Sequence, residues 1–393
     1  MSSGQNSKSK LDSVKDWAFI CARCNSCKFI YRDYQDSCPS GMYFWFEPYW
    51  ASGKNLMLRD LVEGTLEMTE SIAEKIYSCI LCGNCEIQCQ QEVGDHLVEI
   101  FEALRQEAIA QGYGPMPAHK AFKENIEKVN NPYSEPHEDR FTEEYLKPHV
   151  KDKADVIYFV GCTGAYREKE VVRHTVSLLE KMGMDFAIQK DEKCCGSPLI
   201  TTGQLDAAKA LADYNVNQIK TTGADTVITS CAGCFRTFSN QYREKFGMEL
   251  PFKVQHFTEF LNEHFSKLSF KKLGKNDEII VTYHDPCHLG RHGGVYDAPR
   301  AILRKLPGVT FKEMPRNREN AWCCGAGAGV KSAFKDFALE TAKLRVEEAE
   351  MTKSNKLITA CPFCERNLGD AIEAMDSAIF LEDIVTLVDE MTE

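Results

Sequence analysis

No run of apolar residues in this chain approaches the roughly 20 that a membrane-spanning helix requires, so no helical span is expected. Basic charge is in deficit as well: 47 Lys and Arg against 58 Asp and Glu leave a net charge of −11. Nucleic acid draws on a surplus of the opposite kind, so none is expected as a partner, and the acidity reads as a solubility device. The opening stretch, Met1 to Lys10, lacks an apolar leader; a cytoplasmic chain is expected, with any membrane link made through a partner. A dinucleotide fingerprint is missing too. No G-x-G-x-x-G follows a strand-like run, and Gly325-Ala326-Gly327-Ala328-Gly329 comes directly after two cysteines.

What the chain has in excess is cysteine. Eighteen occur in 393 residues, a length that allows two or three domains with cores of their own. They stand at Cys21, Cys24, Cys27 and Cys38; at Cys79, Cys82, Cys85 and Cys89; at Cys162, Cys194, Cys195, Cys231 and Cys234; and at Cys287, Cys323, Cys324, Cys361 and Cys364. In a reducing compartment such clustered thiols are metal ligands rather than disulfides, and none is left over.

The patterning divides the chain into three parts. Over residues 1–112, Leu58, Leu61, Val62, Leu66, Ile72 and Ile76 recur at near-helical spacing. Leu97, Ile100, Phe101, Leu104 and Ala108 do the same before Gly112. This part reads as helical, with cysteines at helix ends. Residues 113–153 hold five prolines and little periodicity, which reads as a linker laid over the surface.

From Asp155 the chain repeats itself. Val156 to Val160 leads to Gly161-Cys162, as Ile279 to Tyr283 leads to His284-Asp285-Pro286-Cys287. Cys194-Cys195-Gly196 is echoed by Cys323-Cys324-Gly325, and Cys231-Ala232-Gly233-Cys234 by Cys361-Pro362-Phe363-Cys364. Offsets of 125, 129 and 130 residues mark two copies of one α/β unit, over 154–272 and 273–393. Cysteines at strand ends occupy the edge where open α/β sheets hold ligands.

The first eight cysteines fit the bacterial ferredoxin run, in which the fourth cysteine of each group ligates the other group's cluster. Cys79-x2-Cys82-x2-Cys85-x3-Cys89 keeps the spacing, with Gln90 in place of the usual proline; ten residues separate Cys27 from Cys38-Pro39. One 4Fe–4S cube is therefore assigned to Cys21, Cys24, Cys27 and Cys89, the other to Cys38, Cys79, Cys82 and Cys85. A pair of structural zinc sites is the alternative for thiolates at C-x2-C spacing. In each repeat, five cysteines exceed what tetrahedral zinc uses. Adjacent thiolates can instead bind different irons of an extended cluster. Gly196 and Gly325 are expected to let the backbone approach bulky inorganic sulfur.

The spacing Cys162-x31-Cys194-Cys195-Gly196-x34-Cys231-x2-Cys234 resembles the cysteine-rich CCG domain, and Cys287 to Cys364 resembles a second copy. Two such domains behind a two-cluster ferredoxin module are similar, over essentially the whole chain, to the catalytic subunit of heterodisulfide reductase in its fused form. The resemblance implies an α-helical ferredoxin-type domain followed by two repeated α/β CCG domains. It implies two cubane 4Fe–4S clusters in the first and a non-cubane 4Fe–4S cluster on each complete set of five cysteines. It further implies that a small anionic disulfide, of the coenzyme M–coenzyme B type, is reduced between the two non-cubane clusters. A partner containing flavin or cytochrome b would donate the electrons.

Basic residues stand beside the ligands: Lys193, Arg236, His288, Arg291, His292 and Arg366. Either they hold an anionic substrate and supply protons, with His288, Arg291 and Lys193 the candidate catalytic residues, or they offset the charge of thiolate-bound clusters. The competing reading is an electron-transfer subunit without its own substrate, in an acyl-coenzyme A reductase complex or a glycolate or lactate oxidase complex. Fold and clusters do not separate the two, because function lies in the site. A reductase needs a substrate-sized gap between the two five-cysteine sets; a relay does not.

Four 4Fe–4S clusters correspond to about sixteen irons per chain. Anaerobic metal analysis should find that iron and little zinc. A zinc ion or more per chain, with iron below half the expected amount, would overturn the assignment.

Overall fold

The structure, a computed structural model, describes residues 9–30, 35–271 and 278–393. The boundary drawn between residues 272 and 273 lies outside the described residues, as does the middle of the Cys27–Cys38 loop. Between the first two cysteine groups the apolar spacing forms two helices, Ala51–Glu63 and Glu70–Tyr77. Gly64 ends the first in a left-handed conformation, φ 70°. The Thr69 hydroxyl opens the second, accepting from the Ile72 amide at 3.3 Å. A third helix, Leu97–Ala110, packs Ile100 and Leu104 into a core shared with Leu58 and Ile76.

Residues 113–153 depart from the expected surface linker. They contain a helix, Pro117–Val129, with proline in its first turn and Asn130 closing it at φ 62°. Proline at that position starts a helix rather than breaking one. His119, Ile126 and Leu146 are buried. The segment touches both repeats: His119 Nε2 lies 3.0 Å from the Gly329 carbonyl, and Asn130 O accepts from the Cys194 amide at 2.9 Å. Its few apolar residues are covered by these tertiary contacts, which periodicity does not report.

Each repeat builds a four-stranded parallel sheet. The first holds β1 (Val156–Tyr158), β2 (Phe186–Ala187), β3 (Thr226–Thr229) and β4 (Lys253–His256), in the order β2-β1-β3-β4. The second holds β5 (Ile279–Tyr283), β6 (Val309–Lys312), β7 (Lys356–Thr359) and β8 (Phe380–Asp383), in the order β6-β5-β7-β8. The two orders are the same, as the internal repeat requires. In register, Tyr158 faces Ile228 across β1 and β3, and Tyr283 faces Ile358 across β5 and β7. These paired strands are the inner ones. Cys162 and Cys231 follow β1 and β3, and Cys287 and Cys361 follow β5 and β7, so the sheets present four cysteines from their carboxyl ends.

The helical part is tied to both sheets by buried side-chain donors. Arg105, on helix Leu97–Ala110 and fully buried, donates to the Thr201 carbonyl at 2.6 Å and the Ala328 carbonyl at 3.0 Å. It also donates to the carbonyls of Cys79 and, at 3.3 Å, Tyr77. Arg291 Nε donates to the Cys82 carbonyl at 2.6 Å, and His292 Nε2 lies 2.9 Å from the Leu81 carbonyl.

Arg105→Met would strand these carbonyls in a dry interior, at a cost of roughly 3 kcal/mol or more. Anaerobic chemical denaturation should show the midpoint falling for Arg105→Met, whereas Arg59→Met, which removes an i,i+4 surface pair, should leave it nearly unchanged.

Candidate metal centres and the cavity between the repeats

The eight N-terminal cysteines come together as two quartets. Cys21, Cys24, Cys27 and Cys89 line one small cavity; Cys38, Cys79, Cys82 and Cys85 line another. The loops curl around these centres through left-handed backbone at Arg23 (φ 53°), Asn25 (φ 64°) and Leu81 (φ 54°), conformations non-glycine residues adopt only when surroundings enforce them. Cys38 sits at the start of helix Pro39–Phe44, its sulfur 3.4 Å from the Gly41 amide. Cys24 is exposed, so the outer quartet reaches the surface.

Lys54 escaped the sequence reading. It is buried in the wall of the inner quartet and donates to the Tyr49 carbonyl. Burial pushes its pKa down, while Cys79 and Cys38 favour its charged form. Its signal was position: Lys54 stands four residues before Leu58, on the buried face of its helix, where an unpaired lysine is out of place.

In the second part, nine of the ten cysteines line a single cavity of about 380 Å³ between the repeats. The tenth, Cys323, is not in that lining; its thiol is close to those of Cys287 and of Cys82 from the inner quartet. Across the repeats, the Cys231 and Cys361 thiols are also close neighbours. The two glycines after the cysteine pairs are required by the backbone itself. Gly196 (φ 89°) and Gly325 (φ 88°) are left-handed, and a Cβ on Gly325 would lie 2.5 Å from the Ala338 carbonyl. Backbone conformation favours glycine at both positions, and close helix approach adds to it at Gly325. Gly161 is the one pressed by sulfur, since a Cβ would stand 2.9 Å from Cys234 Sγ.

Of the three candidate catalytic residues, only His288 lines the cavity. Its Nε2 lies 3.1 Å from Arg236 Nη1, which can only donate, so the ring hydrogen of neutral His288 is on Nδ1. Burial and then the Arg236 charge push its pKa down to about 3. Lys193 lies outside the lining, its ammonium 4.0 Å over the Tyr214 ring. Arg291 and His292 both bind the ferredoxin loop through the Cys82 and Leu81 carbonyls. Arg236 is fixed from behind by Glu102, 3.6 Å away on helix Leu97–Ala110. Arg366 stands 5.8 Å from the ring of Tyr133.

Tyr133, in the segment expected to be a linker, lines the cavity and bonds the Thr163 hydroxyl at 2.9 Å. Arg140 and Glu192 form a fully buried pair beside Cys162. Arg140 Nη1 is 3.5 Å from Cys162 Sγ, and Glu192 accepts from the Val160 and Gly161 amides at 2.8 and 2.9 Å. Nothing in their local sequence marked these three.

All eighteen cysteines are free thiols, grouped four, four and ten. Beside them, Arg291 Nη2 and His284 Nε2 are buried donors with no acceptor in the protein. Orphaned donors among clustered thiols suit groups rich in acceptor sulfur, and these residues fit iron–sulfur clusters. Among the described residues, no helix is long and apolar enough to cross a membrane.

Comparison with known proteins agrees with this layout. A 4Fe-4S dicluster domain matches residues 17–93, and a cysteine-rich domain matches twice, at 156–239 and 281–369. The chain is 42% identical over 330 residues to a subunit of the dihydromethanophenazine:CoB–CoM heterodisulfide reductase of Methanosarcina barkeri, covering 82% of this chain and 79% of that one. It is 34% identical to a subunit of the fumarate reductase (CoM/CoB) of Methanothermobacter marburgensis, over 77% of this chain and 58% of that one. The crystal structure of a hypothetical protein from Helicobacter pylori aligns with a TM-score of 0.55 at 11% identity, over 87% of this chain and 68% of that one, a likeness of fold. A dicluster module leading into paired cysteine-rich domains, matched at 42% identity over four-fifths of the chain, places this protein in the heterodisulfide reductase family of iron–sulfur oxidoreductases.

Proposed function

We propose that this chain reduces a disulfide of the coenzyme M–coenzyme B type in the cavity between its two cysteine-rich domains. The observation that carries the reading is that cavity: at about 380 Å³ it falls within the range of small-molecule sites, and cysteines of both repeats line it. A relay subunit has no use for such a gap. On this reading two cubane 4Fe–4S clusters sit on the two N-terminal quartets, and a non-cubane 4Fe–4S cluster on each five-cysteine set. When bound, the clusters supply the two electrons that break the sulfur–sulfur bond.

The balance is one disulfide, two electrons and two protons to two thiols. His288 presents Nδ1–H as a hydrogen-bond donor to a sulfur gaining charge. It does so as neutral imidazole, because Arg236 occupies the other nitrogen and disfavours a second positive charge. Protons then come from water or substrate rather than from an imidazolium. Arg236 is a positioning residue that fixes the tautomer. Arg291 and Lys193, outside the lining, have no contact with substrate in this proposal.

The thiol contact between Cys82 and Cys323 supports electron delivery from the inner quartet to the second repeat. The exposed Cys24 makes the outer quartet the face for an electron donor, a partner containing flavin or cytochrome b.

Oxidising the iron-loaded chain with coenzyme M thiol present should produce a new paramagnetic signal. A spectrum indifferent to every thiol would leave the relay reading in its place. His288→Phe should lower heterodisulfide turnover roughly ten- to a hundredfold, the worth of a hydrogen bond to a charged group, with iron content unchanged. Because the fourth cysteine crosses over, Cys89→Ala should abolish the signal of the outer cluster; loss of the inner one instead would reverse the quartets.

A further inference from the structure

The repeats match at every cysteine, yet buried positions just before the first cysteine of each differ in kind. The residue three before the first cysteine is Phe159 in the first repeat and His284 in the second. The two are structural equivalents: each donates its amide to the neighbouring inner strand at 2.8 Å, Phe159 to Ile228 and His284 to Ile358. Both are fully buried. Phenylalanine costs nothing there, whereas a buried imidazole is destabilising unless both ring nitrogens are used.

One nitrogen is accounted for. Arg345 Nε donates to His284 Nδ1 at 3.0 Å, and Arg345 is itself held by Glu348 at 2.6 Å and by the Arg316 carbonyl at 2.8 Å. A guanidinium has no acceptor atom, so Nδ1 carries the lone pair and the hydrogen of the neutral ring is on Nε2. That Nε2–H is buried and has no acceptor at good hydrogen-bond geometry in the protein, with the Cys324 sulfur its neighbour. A ring nitrogen of His284 and the sulfurs of Cys324 and Cys364 lie within 4.8 Å of one another. A histidine and two cysteines so arranged suggest a three-ligand metal site. The Arg345 bond argues otherwise, because a ligating Nε2 would have to give up its hydrogen.

We propose that His284 is an N–H···S donor to the iron–sulfur group of the second cysteine-rich domain, locked in that tautomer by Arg345, and that it stabilises the reduced form of that group alone. The proposal rests on the reading that both five-cysteine sets hold clusters. In the first repeat Phe159 offers no hydrogen. The nearest counterpart there is the Thr237 hydroxyl, which bonds Cys195 but also has the Gly233 carbonyl at 2.9 Å to donate to. A hydrogen bond to sulfur favours the more negative oxidation state, so the two clusters are tuned differently by one residue. His284 acts through Cys324 and its neighbours and is a positioning residue.

The test uses the full iron-loaded chain and two variants. His284→Phe installs the residue of the first repeat; His284→Gln keeps an N–H near the place of Nε2. Redox titration followed by EPR should show the midpoint potential of one cysteine-rich site falling in His284→Phe, the other site unmoved, and the fall largely rescued in His284→Gln. An exchangeable-proton coupling at that site, seen by ENDOR in H2O and lost in D2O, should vanish in His284→Phe. Iron missing from that site in both variants would make His284 a ligand and overturn the proposal. Iron retained with both potentials unmoved would overturn it alone. A wild-type chain with no iron in the cysteine-rich domains would overturn the underlying cluster reading as well.

Discussion

Arg105 is fully buried, and its two terminal nitrogens donate to carbonyl oxygens from all three parts of the chain: Tyr77 and Cys79 of the ferredoxin part, Thr201 of the first repeat and Ala328 of the second. Burying a cation is costly, and here the cost is offset by carbonyl dipoles rather than by a carboxylate. Those carbonyls belong to residues that flank ligands. The Cys79 loop is a wall of the inner quartet, and Thr201 and Ala328 line the cavity. One planar group therefore sets the distance between the inner quartet and the gap. The contact between Cys82 and Cys323 depends on that spacing being held, and Arg291 and His292 hold it from the far side.

How much of this is legible in the sequence differs by kind of information. Cysteine clusters follow from residue identity and spacing, so the two quartets and the repeat itself can be read directly, whereas the meeting of both five-cysteine sets at one cavity is tertiary. Strands β1, β3, β5 and β7 can be read as well, because a buried inner strand is a short apolar run. The edge strands leave a weaker trace: β6 is only half-buried throughout, and Phe380 at the start of β8 is 58% exposed. Segment 113–153 misleads because proline usually interrupts structure, whereas Pro117 begins a helix. Tyr133, Arg140 and Glu192 gain their roles only from tertiary contact. Closeness to cysteines in sequence is a poor guide to the cavity lining. That criterion finds His288 at the cavity but also Lys193, which is beside Cys194 along the chain and turned towards Tyr214 in space.

Duplication supplies two similar cysteine sets, and the differences between the copies are what give the molecule direction. The second repeat reaches the inner quartet's loop through Arg291 and His292, and its Cys323 thiol is close to that of Cys82. Only the second has a histidine directly after its first strand, at the position Phe159 takes in the first. On the proposed reading, two neighbouring sites unlike in surroundings suit a reaction that needs two electrons arriving one at a time.

The buried cations separate into two kinds. Arg140 is paired with Glu192, Arg300 with both Asp285 and Glu313, and Arg345 shares Glu348 with Arg316, so all three are compensated by carboxylates. Lys54, Arg105 and Arg291 have no carboxylate partner among the described residues, and all three bear on the inner quartet: Lys54 on Cys79 and Cys38, Arg105 on the Cys79 carbonyl, Arg291 on the Cys82 carbonyl. A low-dielectric interior magnifies an uncompensated charge, whereas the outer quartet, with Cys24 at the surface, is screened by solvent. On the proposed cluster assignment, an electron added at the surface gains stability by moving to the inner quartet. The paired cations beyond it do not extend that pull into the cavity, so the electron is held one thiol contact from the gap until something there accepts it.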